Sequence, residues 1–328
     1  MKNNRIQVIR ATLAIMVVLI HTLPTSNEFK IIVRPFLNVA VAGFIFLSGY
    51  LTKTEINAKR LYRKRIIKAL IPYVIFTIIY TVVKQYKKNI TSLPYIIIKN
   101  LVTASGRMIL YYLVVYIQLV LLTPFLTKIA KTKNIVYSLL IISISPLFIL
   151  FYYVGIIHGE ILEELPYCIM FFPVWIAYYY LGLIIGNKLV KINLKSTTLV
   201  TLIIIGLLLQ IAEGFFWLQN TNMKDIYYSQ IRITSFMQNI PILILISRYI
   251  RHTSVKYGKH MIKIGDASFG IYLLHPLFIS ICDKLFKRNI ITFLITFSLS
   301  FAGAYITVLM LNKFLPKKLL GYVGLSTK

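Results

Sequence analysis

Acidic residues are scarce in this 328-residue chain: Asp+Glu number 9 against 37 Lys+Arg, for a formal charge of +28. Such an excess invites a nucleic-acid reading. The cations, however, sit in short stretches between apolar runs rather than in one basic domain, and no nucleic-acid partner is expected. Cysteine is almost absent. Cys168 and Cys282 lie far apart inside apolar runs and form neither a disulfide framework nor a metal motif, so no metal is expected. There is no Walker loop, no dinucleotide glycine pattern and no Gly-x-Ser-x-Gly nucleophile turn. No linker, low-complexity stretch or soluble appendage interrupts the sequence, so one domain is expected over 1–328. The first apolar run lacks an A-x-A-like cleavage site and reads as a retained helix rather than a signal peptide.

What the chain has in quantity is apolar sequence: 58% of residues are hydrophobic and only 14% charged, with a mean hydropathy of +0.76. That lies outside the soluble globular range. Apolar runs of about 17–22 residues recur along the whole length, each long enough to cross ~30 Å of hydrocarbon. The expected fold is all-α, a polytopic integral membrane protein of about ten transmembrane helices. They are placed at about 6–24, 36–52, 69–84, 109–127, 135–154, 168–186, 197–216, 231–248, 265–282 and 290–311. The segment 85–108 is too polar to span and reads as a re-entrant or surface helix. Ten spans put both termini on one side. With that side cytoplasmic, about two in three Lys+Arg fall in inner segments, the positive-inside signature. The richness in Lys, Ile and Asn suits an AT-rich bacterial genome, and the expected location is a bacterial cytoplasmic membrane.

Within the first run, Arg10 and His21 are the residues that carry chemistry. Eleven residues is close to three helical turns, which puts both on one face about 16 Å apart along the axis. Each alone could be an interfacial anchor. Together on one face, at opposite leaflets, they point to a cavity or substrate path, because ionisable groups at membrane depth are costly.

Three other constellations stand out. Residues 53–68 hold a dense basic cluster including Arg60, Arg63, Lys64, Arg65 and Lys68, able to bind phosphates of a lipid head or of a nucleotide-type donor, or to act only as a topology signal. The second run ends FIFLSGYL, where Gly49 between Ser48 and Tyr50 would let another helix or a ligand approach closely. The late run IGDASFGIYLLHPLF spaces Ser268, Tyr272 and His275 at i, i+4, i+7, one polar stripe in an apolar helix. It is either a structural hydrogen-bonded stripe or a second wall of the cavity that His21 lines. His275 precedes Pro276, which frees a backbone carbonyl one turn back and can kink the helix. His21 is placed in the outer third of its helix and His275 nearer mid-membrane. Glu213 reads as an intramembrane acid and a possible histidine partner; Glu160, Glu163 and Glu164 read as a solvated loop that could meet a glycan.

These landmarks resemble the bacterial acyltransferase-3 integral-membrane acyltransferases, which O-acylate extracytoplasmic polysaccharides. The resemblance covers nearly the whole chain and follows family order: Arg10 and His21, FIFLSGYL at 44–51, RIIKALIPY at 65–73, and IGDASFGIYLLHP at 264–276. It implies that His21 is catalytic, and that Arg65 and Lys68 stand where the family's R-x-x-R element meets the acyl-CoA donor. Here the second arginine is lysine, which keeps the charge and loses the bidentate fork. Arg60 and Arg63 spell R-x-x-R five residues early. No soluble esterase-like domain, which some members append, is expected.

The resemblance implies that no cofactor is bound. Acyl-CoA, most simply acetyl-CoA, is the donor, a polysaccharide or lipid-linked glycan the acceptor, and the lipid bilayer the surroundings. His21 would act as general base for a sugar hydroxyl or carry the acyl group as an acyl-imidazole. Arg10 would guide the anionic donor or steady the leaving thiolate. Two other classes share ten spans and basic inner loops: an exporter or flippase of lipid-linked glycan, and a structural partner in an envelope polysaccharide synthesis complex. Neither needs an imidazole in the first helix.

Overall fold

The computed structural model describes residues 3–53, 58–85, 92–158, 169–221, 226–251 and 258–327, with backbone alone for 58–61 and 158. Every regular element among them is helical, and nine helices are long and apolar enough to cross a membrane. The chain is a multi-pass membrane protein. It divides into two compact units, one of residues 1–44 with 191–328 and the other of residues 45–190.

The first unit holds α1 (Asn4–Thr22), α2 (Asn27–Leu37), the start of α3 (Val39–Tyr50), α9 (Ser196–Asn220), α10 (Ile233–Arg251), α11 (Lys259–Leu285), α12 (Thr292–Phe314) and α13 (Lys317–Val323). The Asn3 side chain caps α1 by accepting from Arg5 N at 3.0 Å. Arg5 itself is buried, and its Nη1 donates to Tyr249 O (3.2 Å) and Ile250 O (3.4 Å). That sets a cation on the final carbonyls of α10, where the helix dipole favours it. Helix α1 lies along α11, which also packs on α12. Gly265 makes the closest approach possible, since a Cβ there would overlap the carbonyl of Gln7. The span expected at 36–52 corresponds to α3, and α2 extends it backward across a one-residue break at Asn38, so that Asn27–Tyr50 forms one membrane-length apolar stretch. Asn38 Nδ2 donates to Gln210 Oε1 (3.0 Å) and Ser229 O (3.3 Å). Ser235 Oγ donates to the same Gln210 oxygen at 2.7 Å, and Gln210 Nε2 donates to Gln238. Breaking such a buried network leaves unmet polar groups costing about 1–3 kcal/mol each, so it fixes the register of α2, α9 and α10.

The second unit holds the end of α3, then α4 (Ala58–Gln85), α5 (Leu93–Thr103), α6 (Tyr111–Lys131), α7 (Ile135–His158) and α8 (Ile176–Gly186). Helix α8 differs from the span expected at 168–186. It has 11 residues, about half the length needed to cross, and residues 176–185 are all buried. The chain leading into it is a short 3-10 turn at Phe172–Val174, stitched down by side chains of α6 and α7. Gln118 donates to Met170 O (3.0 Å) and accepts from Phe172 N (2.8 Å); Ser145 Oγ donates to Pro173 O (2.8 Å). Helix α5 occupies the expected re-entrant or surface segment and has no buried residue. Asn100 Nδ2 ties it to Thr81 Oγ1 of α4 at 2.9 Å.

Candidate active site

Because α1 lies along α11, their two histidines meet. His21 is half-buried in the last turn of α1, and His275 is fully buried in α11. Their ring centroids are 5.4 Å apart with the planes inclined at 37°. The different depths expected from the sequence therefore do not separate them. His275 Nδ1 lies 3.1 Å from Ile271 O. A carbonyl only accepts, so this nitrogen carries the hydrogen and, in the neutral ring, Nε2 is the acceptor. The Tyr272 ring stands 6.3 Å from His275 and is stacked on Phe269 (6.1 Å, 7°). Ser268 is buried on the same stripe. Pro276 is accommodated within a continuous α11, and Ser280 Oγ donates to its carbonyl at 2.8 Å.

Arg10 is half-buried on α1, and Ala14 and Val17, between it and His21 on that face, are buried. One turn before Arg10, the Gln7 amide nitrogen can donate to Asp266 Oδ1 and Gly265 O, both at 3.3 Å. This polar end of the α1–α11 pair lies about three turns from His275 along α11 and about four from His21 along α1.

In the second unit Arg65 gathers the loose FIFLSGYL and basic landmarks into one place. It is half-buried: Nε donates to Tyr116 OH (3.1 Å), Nη1 to Thr52 Oγ1 (2.5 Å), and Nη2 to Ser48 Oγ (2.7 Å) and Ser48 O (3.3 Å). The guanidinium also lies 5.5 Å from the Tyr116 ring centre, within cation–π range. Tyr179 OH contacts Thr52 (3.2 Å) and Thr123 (2.7 Å) behind it. Those hydrogen-bond partners are hydroxyls and a carbonyl, and none carries a negative charge. Gly49 acts through packing: a Cβ there would overlap Tyr179 O, while Gly182 and Gly186 press on Phe46 O and Tyr50 O. The Gly182/Gly186 pair at i, i+4 was a readable small-residue signal for this crossing.

Among the described side chains of the basic cluster, Arg65 alone is drawn inward. Lys68 and Arg63 are exposed, although i, i+3 spacing puts Lys68 beside Arg65 on α4: the hydroxyls of Ser48, Thr52 and Tyr116 engage Arg65 and leave its neighbour facing outward. The Arg60 side chain lies outside the described residues, as do Glu160, Glu163, Glu164 and Cys168. The Tyr50 ring lies 5.9 Å from that of Phe46, inclined at 36°. The Glu213 carboxylate accepts from Trp217 Nε1 (3.2 Å) and Thr234 Oγ1. Cys282 is buried beside Ser300 Oγ at 3.8 Å. Sequence reasoning passed over Arg288, which donates to the backbone oxygen of His21, and Arg232, fully buried with Nη1 on Tyr227 O at 2.9 Å. A basic residue at the end of a run carries no local sign of a distant carbonyl.

Nine long apolar helices among the described residues define a multi-pass membrane protein, and two of them bring a histidine pair together. The chain belongs to the acyltransferase-3 (Acyl_transf_3) family, described as an acyltransferase domain, whose model matches residues 3–310. It is a membrane acyltransferase. No curated protein and no solved structure matches it.

Proposed function

We propose that the protein transfers an acyl group, most simply acetyl, from cytoplasmic acyl-CoA to a hydroxyl of a cell-surface or exopolysaccharide glycan, in a bacterial cytoplasmic membrane. The observation that carries the reading is the His21–His275 ring contact at 5.4 Å inside a helix pair. An apolar helix pair has no structural need for two adjacent imidazoles, whereas acyl transfer to a hydroxyl needs a base. In the proposed step a ring nitrogen of His21 takes the proton of the acceptor hydroxyl while its oxygen attacks the thioester carbonyl. The C–S bond breaks, and the thiolate recovers the proton from the imidazolium. His275, with Nδ1–H given to Ile271 O, holds one fixed orientation against the His21 ring and so restricts its pose.

Each unit offers one arginine for an anionic donor group, and each is assigned by itself. Arg10 is ~16 Å from His21 along α1, too far to sit at the same reacting carbon, and is assigned to the anionic end of an extended donor. Arg65, partnered only by neutral groups, keeps its charge available for a phosphate. The test is transfer of label from acetyl-CoA to surface glycan in membranes. His21→Ala should reach normal membrane levels and lose ~100- to 10,000-fold in rate, the usual range for a missing general base. An active His21→Ala protein sinks the mechanism and returns the export and structural readings.

A further inference from the structure

Helix α1 stops at Thr22, and the carbonyls of its last turn have no partner within the helix. Thr22 Oγ1 folds back on its own helix, sharing its one hydrogen between the carbonyls of Val18 and Leu19, each at 3.1 Å. The His21 carbonyl is taken from the far end of the chain, where Arg288 Nη1 donates to it at 3.0 Å. Arg288 lies in the connection between α11 and α12. Its Nε and Nη2 donate to Asp283 Oδ1 and Oδ2, both at 2.6 Å. This is the fork-on-fork geometry that holds a guanidinium plane still, and it leaves Nη1 aimed at α1. Asp283 belongs to the last turns of α11, eight residues or ~12 Å beyond His275.

A single rigid bridge thus joins the helix carrying one histidine to the helix carrying the other, at the ends where both helices stop. The ion pair itself adds little stability, because its side chains are 28% and 35% exposed and such pairs contribute about 0–1 kcal/mol. What it supplies is geometry. A helix terminus frays, and His21 sits on that terminus.

We propose that Arg288, oriented by Asp283, is a positioning residue for His21, holding the last turn of α1 where the imidazole meets His275. The proposal rests on His21 being the base. Its test is the kinetics of the full-length protein in membranes with labelled acetyl-CoA, for Arg288→Ala, Arg288→Lys and Asp283→Asn beside His21→Ala. Arg288→Ala should lower kcat about 10- to 100-fold, since a ~1 Å misplacement of a reacting group costs up to that much, with KM for acetyl-CoA and for the acceptor unchanged. Arg288→Lys, which keeps one donor for the carbonyl, should recover part of the loss. Adding Asp283→Asn to Arg288→Ala should lower kcat no further, because the two act as one device. Wild-type kcat in Arg288→Ala beside a dead His21→Ala overturns the positioning role and leaves the base role standing. A raised acceptor KM with intact kcat overturns it as well, making Arg288 a substrate contact. Activity in His21→Ala overturns both. Should Arg288→Ala fail to reach the membrane, Arg288→Lys and Asp283→Asn decide: lowered kcat supports the bridge, and wild-type kcat in both overturns it.

Discussion

Replacing Gly265 with alanine tests the contact on which the histidine pair depends. A Cβ at 265 overlaps the Gln7 carbonyl oxygen and comes within 2.6 Å of its carbon and 2.8 Å of its Cα. Carbon atoms pack at about 3.5–4.0 Å, so α1 must retreat by about 1 Å at Gln7. Backbone cannot swing aside as a side chain does, and overpacking of this kind costs about 1–3 kcal/mol. The displacement also bears on His21, some 21 Å along α1, whose ring meets His275 of α11 at 5.4 Å. A shift approaching 1 Å there costs up to ~100-fold in rate. The assay pairs thermal unfolding in detergent with acyl transfer in membranes, using Gly321→Ala as reference. Position 321 has nothing within 4 Å of its Cβ. It lies within α13, where alanine for glycine stabilises by about 0.5–1 kcal/mol. Gly265→Ala should melt lower and turn over at least tenfold more slowly than Gly321→Ala. Indistinguishable behaviour would refute the close approach of α1 and α11 as the constraint on the site.

Two further outcomes are expected. Arg65→Ala should raise KM for acyl-CoA by ~10- to 150-fold, equivalent to about 1.5–3 kcal/mol for one lost charged hydrogen bond, while exposed Lys68→Ala changes it by less than about twofold; equal effects would contradict the separation of the two side chains. A reporter fused after Lys328 should be active only in the cytoplasm, following the Lys+Arg bias toward that side, which requires α8 with its lead-in to complete a tenth crossing; activity outside the cell would leave nine crossings and reverse the side assigned to everything after α8.

Most of the helices could be read from hydropathy, because each helix in hydrocarbon must satisfy its own backbone and must be apolar along its length. The face shared by Arg10 and His21 and the stripe of Ser268, Tyr272 and His275 follow from 3.6-residue periodicity, a property of the single helix, and the close approach at Gly49 from its missing side chain. Hydropathy fails where lipid and protein interior are equally apolar. Helix α8, buried along residues 176–185, reads like a span until its 11-residue length is seen. The anchoring of Asn38 was likewise invisible, since the Gln210 that receives its amide is 172 residues away.

Tertiary structure alone decided which of the candidate groups meet. Arg65 and Lys68 share a sequence element yet diverge, because Ser48, Thr52 and Tyr116 offer hydroxyls to one and the other faces outward. His21 and His275 come from helices far apart in sequence and meet because a missing Cβ at Gly265 lets two backbones touch. Periodicity orients a side chain about its own helix axis. Which neighbour it then faces depends on how closely the next backbone can approach and where that neighbour's hydrogen bonds are satisfied, and both are properties of the packed pair.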